Sequence, residues 1–282
     1  MNYRRSENNK EKNIIIQAKR QALAVPHNIN IKKFEPNDVK ITTSNTVPFF
    51  RYPSLTATYK HSGDIGDLIY SLPVIRETGG GILYLNLQNL GKKPDGTRSG
   101  FDENIFNFIR PLLEFQVYIK KVEIWNGQTI DLDLDLFRKI NLPTLNLCEK
   151  ILKSYNVPTD NMNSPWIFCK KNKIASAVFA RSHRYRNQNI DYKPYLEKHK
   201  NDCVFIGLIN EYEDFKMQFG HLRYYPVKNM LDMAETINGS DMFYGNQSSP
   251  MSLALGLGKQ ITQEIYMHHP DCKFDRKNCY YI

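Results

Sequence analysis

From Leu55 onward, short apolar, β-branched segments alternate with amphipathic ones, and few folds accommodate that alternation. Residues 55–59 read as a strand, a glycine-containing loop follows, 68–77 read as a helix, Gly79 to Gly81 stop it, and 82–87 read as the next strand. Two strands joined by a helix within so short a span must pair in parallel through a right-handed crossover. The polar stretch 88–104 reads as an inserted loop before helix 105–115 and strand 117–125. After helix 145–155, the stretch 157–165 (VPTDNMNSP) has two prolines and little apolar content, and is taken as a boundary. Beyond it, strands 177–180, 203–208, 222–225, 242–244 and 260–264 alternate with helices 194–199, 211–219, 229–237 and 250–257. The expected class is α/β, with two Rossmann-like, doubly wound domains facing a cleft where ligands meet the carboxyl ends of the strands.

The 282 residues suffice for two such domains, expected at 51–160 and 161–265, with a tail at 266–282. The longest apolar runs, such as 204–209, fall far short of the roughly 18 residues that span a bilayer. The opening MNYRRSENNKEKN is polar where a signal peptide is apolar, so the expected location is cytoplasmic. Five scattered cysteines lack the spacing of a zinc knuckle. The net charge of +9 is concentrated near the start: residues 1–60 carry eleven Lys and Arg against four Asp and Glu. Residues 1–50 therefore read as a basic extension in which Arg4, Arg5, Lys19, Arg20, Lys32 and Lys33 meet an acidic partner, or else as compositional bias toward Lys and Asn.

Several segments carry residues suited to chemistry. HSGDIGD (61–67) joins the first strand to the first helix, so Gly63 and Gly66 let a ligand approach the backbone. It is neither GxGxxG nor a P-loop. Asp67 and Asp64 are candidate catalytic carboxylates; the blander reading makes Asp67 a helix cap and Asp64 a turn residue. GNQSSP (245–250) precedes another helix, where Ser249 fits a cap and Pro250 the first helical position. Asn246, Gln247 and Ser248 remain as polar groups at a helix mouth suited to a diphosphate. Glu264, at a strand end, is placed to take ribose hydroxyls or to sit in solvent. Arg181 and Arg184 follow the first strand of the second domain, where guanidinium groups pair with phosphate. The alternating DLDLDL (131–136) reads as a half-buried strand rather than a cation site, and the adjacent His268 and His269 would point to opposite faces of a strand, so no metal is expected.

The segments SGDIGDLIYSLPVIRETGGGILYLN and AETINGSDMFYGNQSSPMSLALGLGKQITQE together resemble the lipopolysaccharide heptosyltransferase family of GT-B glycosyltransferases, through Gly66-Asp67, Leu72-Pro73 and the polar loop before the later helix. The resemblance covers roughly residues 54–87 and 176–266. It implies a metal-independent, inverting sugar transfer from a nucleoside diphosphate donor, with no cofactor besides that donor. Asp67 would be the base, with Asp64 competing. Asn246, Gln247, Ser248 and Ser249 would hold the diphosphate, Arg181 would neutralise it, and Glu264 would read the ribose. Compact GT-B enzymes of viruses decorate modified bases in DNA. Together with the basic extension, this makes DNA an expected partner and hydroxymethylated pyrimidine the favoured acceptor, ahead of a cell-surface glycan. The alternatives are a nucleotide-sugar epimerase and a non-catalytic nucleic-acid-binding module.

Overall fold

The computed structural model describes residues 56–92, 98–140, 142, 146–268 and 272–282. The basic extension, with Arg4, Arg5, Lys19, Arg20, Lys32 and Lys33, lies outside the described residues. Strands β1 (Ala57–His61), β2 (Gly81–Leu85), β5 (Ile119–Ile124) and β6 (Leu132–Asp133) form one parallel sheet in the order β5-β2-β1-β6. Gly81 lets β2 approach β1: a Cβ there would stand 1.8 Å from the Ala57 carbonyl oxygen. The stretch expected as a plain loop carries a small antiparallel ribbon, β3 (Gly91–Lys92) with β4 (Arg98–Ser99). Helix α1 (Ile65–Glu77) links β1 to β2, and α2 (Glu103–Phe115) precedes β5. A 3₁₀ turn, Leu136–Lys139, follows β6, and α3 (Leu147–Ser154) closes this half.

The second sheet has six parallel strands: β7 (Ala177–Ala180), β8 (Cys203–Phe205), β9 (Arg223–Tyr224), β10 (Met242–Asn246), β11 (Ile261–Glu264) and β12 (Cys279–Tyr281). Their order is β12-β11-β10-β7-β8-β9, which is the Rossmann order of a doubly wound sheet, with the direction reversing between β7 and β10. The linking helices are α4 (Lys193–His199), α5 (Ile209–Phe219), α6 (Met230–Gly239) and α7 (Ser249–Gly256). β7 is buried throughout, with Val178 and Ala180 in one cluster and Ala177 and Phe179 in another. Burial on both faces is what a parallel sheet with helices on each side requires.

The larger cluster is continuous across both sheets, from Tyr59 and Leu72 through Trp166 to Phe243 and Leu253. α1 packs on α7 and α2 on α6. Pro73 inside α1 removes the amide that would bond the Ile69 carbonyl, and the Trp166 indole N–H donates to that carbonyl instead, at 3.0 Å. The C-terminal segment adds β12 to the second sheet while Phe274 packs on Tyr70 and Trp166 and Asn146 Nδ2 donates to the Lys273 carbonyl, so the tail returns to the first half. No helix among the described residues is long and apolar enough to cross a membrane.

Candidate active site

A cleft of about 1170 Å³ opens between the carboxyl ends of the two sheets. Its walls come from the loop after β1, the turn after β6, the loops after β7 and β8, and the β10–α7 junction. Two of these pairs mark places where strand order reverses: β1 beside β6 in the first sheet, and β7 beside β10 in the second. At such positions neighbouring loops diverge and leave a crevice.

On the first wall, α1 begins at Ile65, earlier than the sequence predicts, so Asp64 occupies the N-cap position and Asp67 lies in the first turn. Asp64 makes no side-chain cap bond; its Oδ1 accepts from the Gly100 amide at 3.4 Å. Asp67 Oδ2 accepts from Arg138 Nη2 at 2.5 Å. Both carboxylates line the cleft, as does Gly66, which has open space where a Cβ would be. Gly63 does not line it. A Cβ on Gly63 would stand 1.9 Å from Arg138 Nη2, so this glycine makes room for a guanidinium rather than for a ligand.

Arg138 escaped the sequence reading, and Asp135 entered it only as part of the half-buried DLDLDL strand. The DLDLDL carboxylates pair in register with β1: Asp131 accepts from the Thr58 amide and hydroxyl (both 2.8 Å), Asp133 pairs with Lys60 (2.8 Å), and Asp135 accepts from Ser62 Oγ (2.5 Å) while also binding Arg138. β6 is short, and it delivers Arg138 to the cleft from the strand next to β1. Nothing in the sequence places this run beside the first strand, so no local pattern marked Arg138.

His61, also unanticipated, ends β1 wholly buried. Its Nδ1 accepts from the Gly63 amide at 3.2 Å, and its ring lies 5.8 Å from that of Phe101. Burial pulls its titration from the usual histidine range down to about 3; the Arg138 charge acts in the same sense, against the opposing pull of Asp133 and Asp64. It is a neutral histidine.

On the second wall, α7 begins at Ser249, so the N-cap is Ser248 rather than Ser249, and Pro250 stays in the first turn. Ser248 makes no side-chain cap bond within the helix; its Oγ donates to the Asn246 carbonyl at 3.1 Å. Gln247, Ser248 and Ser249 line the cleft, and Gln247 Oε1 accepts from the Tyr266 amide at 3.3 Å. Arg184 lines it as well, its guanidinium 4.7 Å from the Tyr185 ring centre and its Nη2 2.7 Å from the Tyr185 hydroxyl.

Three residues expected to touch the donor are turned inward. Arg181 and Glu264 are 1% and 0% exposed. They form a bidentate pair, Nε to Oε2 at 2.7 Å and Nη2 to Oε1 at 3.0 Å. Glu264 also accepts from the Tyr192 hydroxyl at 3.0 Å and from the Asn187 amide. Arg181 gives Nη1 to Gln218 Oε1 at 3.1 Å. A guanidinium so committed has no fork left for phosphate, and the carboxylate none for ribose. Asn246, 0% exposed, clamps the loop after β7: Oδ1 accepts from the Ser182 amide (2.9 Å), and Nδ2 donates to the Ser182 (3.0 Å) and Arg184 (2.5 Å) carbonyls. It holds Tyr185 at φ 53°, a left-handed conformation that side chains other than glycine rarely adopt. The role of these three is to build the wall that presents Arg184.

Two parallel sheets facing across a cleft, each contributing a strand-order reversal, define the GT-B fold. No family model matches the chain, and no curated protein matches it by sequence. Among solved structures it is similar to the glycosyl transferase family 9 protein from Veillonella parvula, with a TM-score of 0.51 and 12% identity over 85% of this chain and 88% of that one. It is also similar to E. coli heptosyltransferase WaaC with ADP, with a TM-score of 0.52 and 9% identity over 80% and 92% of the two chains.

Proposed function

We propose that this chain is a glycosyltransferase that moves a sugar from a nucleoside diphosphate donor to a hydroxyl acceptor, by inversion and without a divalent ion. The observation that carries the reading is that one cleft brings the first turn of α1, with Asp67, opposite the uncapped start of α7, with Gln247, Ser248 and Ser249. In this reading residues 51–160 hold the acceptor and 161–265 the donor. A solved relative of the same fold, E. coli heptosyltransferase WaaC, is described with ADP and with ADP-2-deoxy-2-fluoro heptose, which makes nucleoside diphosphate sugars the first donors to try.

The chemistry follows from the two walls. An acceptor hydroxyl becomes a nucleophile as its proton passes to the Asp67 carboxylate, and its oxygen bonds the anomeric carbon as the bond to the diphosphate oxygen breaks. Negative charge then gathers on the departing diphosphate. Arg184 and the first backbone amides of α7, already oriented, stabilise it there. Asp64, beside Asp67 on the same wall, is the alternative base.

For the acceptor we favour hydroxymethylated pyrimidine in DNA, in a cytoplasmic setting. The support is charge. Within the cleft the carboxylates of Asp64, Asp67 and Glu211 balance the cations of Arg138, Lys150 and Arg184, so attraction for a polyanion rests on the surplus in residues 1–60. The test combines a thermal-shift panel of ADP-, UDP-, GDP- and dTDP-sugars with transfer of the labelled sugar to DNA, with and without hydroxymethylcytosine or hydroxymethyluracil. Free nucleotide released only with an acceptor supports the transferase. An epimerised donor supports an epimerase. DNA binding without turnover by any donor supports a binding module. Asp67→Asn is expected to lower turnover roughly 10²- to 10⁴-fold while leaving donor binding in place. If Asp64→Asn has that effect instead, the base is Asp64.

A further inference from the structure

We infer that Arg138 is the positioning residue for Asp67, fixing the orientation in which its carboxylate meets the acceptor; the inference rests on the proposed reading of Asp67 as the base. Arg138 stands on the turn after β6, which neighbours β1 at the strand-order reversal of the first sheet. Its guanidinium spans two carboxylates, Nη2 to Asp67 Oδ2 at 2.5 Å and Nη1 to Asp135 Oδ1. Asp135 is itself fixed, since its Oδ2 accepts from Ser62 Oγ at 2.5 Å at the end of β1. A chain of bonds therefore runs from the strand end through Asp135 and Arg138 to the first turn of α1.

Three features separate this arrangement from an incidental surface ion pair. Both Arg138 and Asp67 line the cleft, and the Arg138 side chain keeps only 35% of its surface exposed. The planar fork, with separate nitrogens for the two acids, fixes an orientation that a lysine ammonium would not. The backbone also leaves room for the guanidinium at Gly63, where any Cβ would collide with it. Among the described residues, Asp135 shares the Arg138 guanidinium, Asp64, Lys150 and Glu211 line the same cleft, and the buried His61 feels the charges of Arg138, Asp133 and Asp64. The buried neutral imidazole adds no charge to compete with Arg138.

A carboxylate that loses an opposite charge at hydrogen-bond distance titrates about one to three units higher. The experiment is therefore the pH–rate profile of sugar transfer, with the donor and acceptor selected above, for the parent, Arg138→Gln, Arg138→Lys and Gly63→Ala. Arg138→Gln is expected to move the acidic limb up by about one pH unit or more and to lower kcat at least tenfold, with KM for the donor within twofold. Arg138→Lys should restore the limb in part while kcat stays low, because charge returns without the fork. Gly63→Ala displaces the guanidinium without removing it and should move kcat in the same direction, which guards against a folding defect in the Arg138 variants. An unmoved acidic limb with lowered kcat or stability would make Arg138 merely structural and overturn the inference. So would parent behaviour in both Arg138→Gln and Gly63→Ala. Asp67→Asn, assayed alongside, separates the failures: full turnover in that variant removes the base assignment itself, whereas loss of turnover there with an unmoved limb in Arg138→Gln rejects only the role of Arg138.

Discussion

Replacing Glu264 tests whether the acid at the end of β11 builds the cleft wall or reads the donor. Its carboxylate takes two bonds from Arg181, one from Tyr192 and one from the Asn187 amide, with both members of the ion pair essentially without solvent. Removing one partner of such a pair leaves an uncompensated buried charge and costs about 3–5 kcal/mol. For a chain of this size that corresponds to a fall in Tm of roughly 6–20 °C. Glu264→Gln keeps the shape but turns an amide toward the donors of Arg181, so it is expected in that range. Arg181→Met should cost as much, and Arg181→Met with Glu264→Gln less than the sum, because each single change strands the other residue. The assay is thermal unfolding of the three variants beside the parent, with donor affinity measured by calorimetry at a temperature where all are folded. Donor affinity should fall little, since neither side chain lines the cleft. A Glu264→Gln protein melting within a degree of the parent but unable to bind donor would refute the structural role and restore the ribose assignment.

Other consequences follow from the same geometry. His61 is neutral when folded down to about pH 3 but titrates near 6.5 when unfolded, so the unfolded state binds more protons between those values and stability falls as pH drops through that window, by up to about 1.4 kcal/mol per unit. Chemical denaturation between pH 7 and 4.5 should show a steeper loss for the parent than for His61→Leu, and equal slopes would show that the imidazole does not carry it. Trp166→Phe strands the Ile69 carbonyl and should cost about 1–3 kcal/mol in urea unfolding. Adding Pro73→Ala, which restores an amide at that carbonyl, should recover part of the loss. Asn246→Ala frees the carbonyls of Ser182 and Arg184 and should raise proteolytic cutting near Arg184 and weaken donor binding together. Cutting without weaker binding would detach Arg184 from the donor.

The layered architecture was legible because period and punctuation agreed. β7 runs over 177–180 as the sequence predicts, and the glycine at 81 marks both the end of the α1 connection and the contact of β2 with β1. Side-chain direction at strand ends was not legible. Past β7, Arg181 points into the protein while Ser182, Arg184 and Tyr185 reach the cleft, a pattern without a simple period that follows the turn geometry held by Asn246. Glu264 read as a solvent-facing or ribose-facing acid because its partner lies 83 residues away in sequence, a pairing that no local pattern announces. The alternation of DLDLDL read as a strand over 131–136, but only Leu132–Asp133 are strand; Leu134 is buried as expected, while the partners of the three acids on β1 and at Ser62 just beyond it, and Arg138 in the turn beyond, left no mark on the pattern.

The two walls of the cleft use one construction to fix different groups. In each sheet the order reverses between the first strand and a later neighbour, and in each a polar side chain from one strand end ties down the loop of the other: Asp135 holds Ser62 and Arg138 in the first, Asn246 holds the Ser182–Arg184 segment in the second. The first tie leaves a carboxylate at the start of α1, the second an arginine beside the start of α7, where Gln247, Ser248 and Ser249 line the cleft. In the proposed transfer, proton removal needs a fixed anion and diphosphate departure needs fixed positive charge, and the two reversals would supply them from opposite sides of the bond being exchanged. Weakening either tie should therefore lower turnover without moving the other wall. Asp135→Asn would act on the step in which the proton leaves, and Asn246→Ala on the hold over the diphosphate. Their effects on turnover should combine additively in free energy, because the two ties share no partner. A double variant no slower than the worse single one would mean that the walls work as one unit.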